Sequence, residues 1–104
     1  MNKVIRDGQV AVIYSPGYGA GWYTWAQEDD LSQLFDPQLV HLIEQAVQDE
    51  ILAYCSLRWP DQYQGGARDL AVAWVPLGDH FRIHEYDGSE RVEIQSQIRN
   101  WIQA

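Results

Sequence analysis

A single cysteine, Cys55, and a single lysine, Lys3, occur in 104 residues. One thiol cannot close an intramolecular disulfide or build a thiolate metal cluster, so a reducing compartment is the expected home. Seven Lys and Arg against fifteen Asp and Glu leave a formal net charge of −8. A chain of that sign repels nucleic acid and anionic membrane unless its few cations cluster, and the six arginines are scattered along the sequence. Direct nucleic-acid binding and membrane binding are therefore not expected, whereas a basic protein surface is a natural partner. No stretch approaches the roughly 20 apolar residues of a membrane span, and Met1 to Asp7 lacks the apolar run of a signal peptide. The expected location is the cytoplasm.

Apolar material is plentiful. Hydrophobic residues make up 46% of the chain, with five Trp and six Tyr, enough to offset the entropy of ordering one domain. The expectation is a single α+β domain over residues 1–104.

Val4 to Arg6, the Asp7-Gly8 pair and Gln9 to Tyr14 read as a hairpin, because Asp-Gly accepts the positive φ angles of tight turns. Ser15-Pro16-Gly17-Tyr18-Gly19-Ala20-Gly21 then breaks all periodicity and leads into Trp22, Tyr23 and Trp25. Asp30-Leu31-Ser32-Gln33 has the form of a capping box. Asp36 as N-cap and Pro37 at the first helical position start a firmer helix, with Phe35 placed to staple onto Val40. Leu39, Val40, Ile43, Ala46 and Val47 follow at helical spacing, and so do Ile51, Tyr54, Cys55 and Leu57. Whether Gln48-Asp49-Glu50 interrupts one helix or is a polar turn of it stays open in the pattern. Helix ends by Trp59, ahead of Pro60.

Leu70 to Val75 reads as a buried strand ending at Pro76. A second hairpin turns at Asp87-Gly88, pairing Ile83 with Val92 and Phe81 with Ile94 on one face and Arg82 with Glu93 on the other. Gln95 to Ala104 has the spacing of a short closing helix. The expected fold is thus a small antiparallel sheet, built from two hairpins and a buried strand, packed on one or two helices.

No residue set specifies an enzyme. Gly17-Tyr18-Gly19-Ala20-Gly21-Trp22 follows a strand as a phosphate loop would, yet tryptophan stands where the dinucleotide fingerprint needs glycine, and the lysine of a P-loop is missing. Its N–H groups would still suit an anion, and its aromatics a flat ligand. His80 and His84 on one strand lie roughly 13 Å apart, too far for one ion. No serine has a nucleophile-elbow context, and Cys55 faces the core of its helix, so no catalytic or metal residues and no cofactor are expected.

The chain resembles a group of small proteins encoded by tailed bacteriophages and prophages. The resemblance runs through Val10 to Trp22, Phe35-Asp36-Pro37, Gly65-Gly66, Trp74-Val75-Pro76 and Phe81 to Glu90 with its Glu-Tyr-Asp-Gly-Ser-Glu turn. Trp59 departs from the tyrosine of that group. The resemblance implies a phage or prophage origin, and hence the cytoplasm of a bacterial host.

Two functions fit. The first is an acidic protein that engages and blocks a host factor, such as a defence or nucleic-acid-binding protein, through a basic surface. The second is a nucleotide or small-ligand binder using Gly17, Tyr18, Gly19, Gly21, Trp22, Tyr23 and Trp25, with Arg68 or Arg82 for phosphate. An enzyme ranks behind both. A tryptophan exposed on a sheet face would mark a homodimer surface.

Overall fold

The computed structural model describes residues 2–19, 21–27 and 30–97. Among these residues five strands and three helices form an α+β fold: β1 (Ile5–Arg6), β2 (Gln9–Tyr14), α1 (Ser32–Phe35), α2 (Pro37–Gln45), α3 (Gln48–Arg58), β3 (Ala71–Pro76), β4 (Phe81–Tyr86) and β5 (Ser89–Ile94). The strands divide between two sheets where one was expected. β1, β2 and β3 make an antiparallel sheet with β2 central, and β4 and β5 form a separate hairpin.

Both Asp-Gly turns behave as their composition requires. Asp7 and Gly8 have φ of 50° and 75°, and Asp87 and Gly88 have φ of 49° and 82°, so both central residues are left-handed, as a two-residue turn matching strand twist demands. The second turn fixes the expected register: Phe81 opposite Ile94, Arg82 opposite Glu93 and Ile83 opposite Val92.

The apolar run Val10 to Ile13 is explained by its central position. Ala11 and Ile13 point into one core with Trp22, Leu39, Cys55 and Trp59. Val10 and Val12 point into a second core with Leu34, Phe35, Val75 and Ile94. β2 is therefore covered on both faces, by α2 and α3 on one side and by α1 with the β4–β5 hairpin on the other, which is why it reads as continuous rather than alternating. β3 runs beside it from Ala71 opposite Tyr14 to Pro76 opposite Gln9. Trp74, the tryptophan of β3, packs partly buried on the first core with the Arg6 guanidinium over its ring at 5.3 Å. That does not make it an exposed dimer patch.

Asp36 caps α2 as expected, accepting the Leu39 N–H at 2.9 Å, with Pro37 in the first turn. The staple is absent: Phe35 lies in the second core and Val40 in the first. Asp30 serves α1 by accepting the Ser32 N–H and hydroxyl at 3.0 and 2.6 Å, and this holds its carboxyl below the usual range. The helical stretch from 37 to 58 is two helices. The break falls at Ala46, with φ 56° and ψ 37°, and Val47, whereas Gln48, Asp49 and Glu50 form the first turn of α3. A 3₁₀ turn at Gly65–Asp69 falls outside the sequence expectation, and Gln95–Gln97, the start of the expected closing helix, is a 3₁₀ turn. The rest of the expected closing helix lies outside the described residues. Among the described residues no helix is long and apolar enough to cross a membrane.

Candidate functional site

The β4–β5 hairpin has one face that turns inward, and its register divides that face into two parts. Phe81, Ile83, Val92 and Ile94 pack on the second core. Beyond them, next to the turn, Glu85 stands directly opposite Glu90. Two carboxylates facing each other toward the interior must find donors. The glycine-aromatic loop supplies them.

Glu90 is 1% exposed. Its Oε1 accepts the Ser15 N–H at 3.0 Å, and its Oε2 accepts the N–H groups of Trp22 at 3.2 Å and Thr24 at 2.7 Å together with the Thr24 hydroxyl at 2.6 Å. The Glu90 N–H in turn donates to the Ser15 carbonyl at 2.8 Å. Glu85 accepts from the Trp25 indole at 2.9 Å and from the Gly88 N–H at 3.1 Å. The N–H groups of Ser15, Trp22 and Thr24, which flank the glycine run rather than belong to it, thus form an anion nest that the protein fills with its own carboxylate.

The glycines have intramolecular reasons as well. A Cβ at Gly66 would lie 2.6 Å from the Gly21 carbonyl oxygen and 2.7 Å from the Ser15 hydroxyl, which itself donates to the Gly66 carbonyl. At Gly17 it would strike the Asp69 carboxylate, and at Gly21 the Trp25 ring. Gly19 has φ 78° and donates its N–H to the Asp87 carbonyl at 2.6 Å. Close approach of neighbouring atoms at Gly17, Gly21 and Gly66 and a left-handed φ at Gly19 account for this pattern within the chain.

The sequence-predicted site residues separate into three groups. Trp22 is fully buried, meets Trp59 edge-on at 5.8 Å and donates its indole N–H to Gln64 at 2.9 Å. It is a core side chain and offers no stacking face to a ligand. Tyr23 is partly buried and packs against both cores. Tyr18 and Trp25 reach the surface. Trp25 stacks obliquely on Tyr63 at 5.7 Å, both rings being exposed along one edge of the loop. Arg82 is exposed and engaged with Glu93 at 2.7 Å, a contact that holds the Glu93 carboxyl below its ordinary range. Arg68 sits exposed on the 3₁₀ turn.

Glu90, Thr24 and Gln64 were not singled out from sequence. The signal for Glu90 was present in the hairpin register, since the parity that turns Ile83 inward also turns Glu85 and Glu90 inward.

Cys55 is fully buried, and burial, with Asp36 nearby, pushes its thiol up to about 12. Tyr54 is likewise pushed up to about 12 by burial and then by its hydrogen bonds to Asp36. His80 and His84 are exposed, and no cluster of three metal-ligating side chains occurs among the described residues.

The chain matches no protein-family model, no curated protein and no solved structure.

Proposed function

We propose that this protein is a binding module that engages a cationic surface on a partner protein and blocks it, as a phage-encoded inhibitor of a host factor in the bacterial cytoplasm would. The observation that carries the reading is the Trp25 and Tyr63 pair: two exposed rings held in fixed positions on an otherwise acidic chain. The Trp25 indole is fixed by Glu85, and its ring lies against Gly21 as the Tyr63 ring lies against Gly65. Rigid Trp and Tyr side chains lose little entropy on contact and recur as binding hot spots. Asp61, two residues from Tyr63, and Asp69, beside Gly17, add exposed carboxylates near the same loop. Such a combination favours arginine and lysine side chains by stacking and charge together.

The alternative, a nucleotide held by the loop, has less support, because Glu90 takes the Trp22 N–H, Asp87 takes the Gly19 N–H and the Trp22 ring is buried in the core.

The test is capture from host extract with immobilised protein, comparing wild type with Trp25→Ala/Tyr63→Ala and Asp61→Lys/Asp69→Lys. The expected result is a specific basic protein that is released by high salt, where charge is screened over about 3 Å. Both variants should lose it, Asp61→Lys/Asp69→Lys at the wild-type melting temperature and Trp25→Ala/Tyr63→Ala while still folding cooperatively. Retention of the same partner by both variants, or no specific partner at all, would refute the reading.

A further inference from the structure

The outer face of the β4–β5 hairpin carries a second feature, distinct from the Trp25 edge. Register places Tyr86 opposite Ser89 and His84 opposite Arg91, on the face turned away from Glu85 and Glu90. The loop crosses the tip of this face and is tied to it twice, by the Gly19 N–H on the Asp87 carbonyl and by the Ser89 hydroxyl donating to the Pro16 carbonyl at 2.8 Å. Those ties bring Tyr18 over the hairpin. Tyr18, His84, Tyr86, Ser89 and Arg91 together line an open depression of about 350 Å³.

Its composition runs against that of the chain. Net charge is −8, yet no Asp or Glu is among the described residues that line it. Two phenols, an imidazole and a guanidinium surround it and can present hydrogen-bond donors to an anion, while the Ser89 hydroxyl spends its one donor on the Pro16 carbonyl. Tyr18 is 77% exposed and Tyr86 72% exposed, so neither ring is being spent on the core. The Arg91 guanidinium gives one N–H to Glu93 at 2.9 Å, and four N–H groups remain in its donor inventory. The volume lies at the small end of ligand sites and suits one mononucleotide-sized molecule.

From this we infer that the depression is a binding site for a small flat anion, with the ring between Tyr18 and Tyr86 and the negative group toward Arg91. The chemical class is a phosphate ester of a planar ring, such as a nucleoside monophosphate. The site does not use the amides occupied by Glu90. It is also separate from the partner surface proposed around Trp25.

The experiment is a titration of ¹⁵N-labelled protein with adenosine monophosphate, adenosine and inorganic phosphate, followed by amide chemical shifts. Adenosine monophosphate should saturate the shifts of Tyr18, Gly19, Tyr86 and Ser89, binding about tenfold more tightly than either half alone, since stacking and charge each contribute. Tyr86→Ala and Arg91→Gln should each weaken it about tenfold at unchanged melting temperature, and Arg68→Gln should not. Three results would overturn the assignment: no saturable shifts with millimolar adenosine monophosphate, equal affinity for inorganic phosphate alone, or undiminished binding by both Tyr86→Ala and Arg91→Gln. The two variants alter exposed side chains, so loss of binding with an intact spectrum reads the site rather than the fold.

Discussion

The carboxylate of Glu90 accepts the backbone N–H of Trp22 from 68 residues away, at 3.2 Å and out of contact with solvent. That bond, with those from Ser15 and Thr24, makes the hairpin tip and the glycine loop one rigid unit. The N–H groups of Ser15, Trp22 and Thr24 are thereby committed, and the loop's exposed rings are Tyr18 on one side and Trp25 on the other.

Glu90→Ala should therefore destabilise the protein strongly. It strips three N–H groups and one hydroxyl of their acceptor in a buried setting, where an unmet donor costs about 1–3 kcal/mol. Because neighbouring losses are not additive, the expected total is about 3–5 kcal/mol. Glu90→Gln keeps the volume but removes the charge and turns an amide donor toward other donors, so it should cost about 2 kcal/mol. Urea unfolding curves read both. A loss below about 0.5 kcal/mol in Glu90→Ala would show that the loop finds water instead.

Gly66→Ala should cost more than Gly17→Ala. At Gly66 the added methyl meets the Gly21 carbonyl, which is itself bound by the Gly66 N–H at 3.0 Å, so backbone must move. At Gly17 it meets the Asp69 side chain, which can rotate away. A difference of about 2 kcal/mol is expected, measured as a shift in thermal midpoint. Equal midpoints would mean that the loop is more pliable than its hydrogen bonds indicate.

The parts of this fold that sequence disclosed are those set by local chemistry. Asp7-Gly8 and Asp87-Gly88 declare their turns because few residues accept two successive left-handed positions, and each turn then dictates its register. Asp36-Pro37 declares a helix start for the same kind of reason. The loop at 15–25 was also legible as irregular, and as rich in amides suited to an anion. What was not legible is that the anion is Glu90, since its partners lie 66 to 75 residues away and the contact is created by two sheets stacking. The same holds for Trp22. An aromatic beside glycines reads equally as ligand platform or core, and only its meeting with Trp59 decides.

The pattern leaves open whether the helical stretch breaks, and the place of the break was not legible, because alanine is the strongest helix former, yet Ala46 takes a left-handed conformation that favours glycine. Packing imposes it. Ala46→Gly should then stabilise the protein by about 0.5–1 kcal/mol, relieved strain outweighing the extra freedom of the unfolded chain. Exposure of Ala46 leaves no packing to lose. Chemical denaturation should move to higher midpoint with unchanged slope; a lower midpoint would place the strain elsewhere.

Gln33 presents the opposite case, a side chain whose chemistry the fold does not use. It is fully buried on α1, and among the described residues neither its amide nitrogen nor its carbonyl oxygen has a hydrogen-bond partner. Burial of an unpaired amide costs about 1–3 kcal/mol, whereas a thioether of similar volume carries no such penalty. Gln33→Met should accordingly raise stability by about 1–2 kcal/mol, read as a higher urea midpoint. It should leave the Tyr18 depression and the Trp25 edge unchanged, because Gln33 lines neither. If Gln33→Met lowers stability and also weakens capture of the partner, the amide is being held unpaired for something that binds.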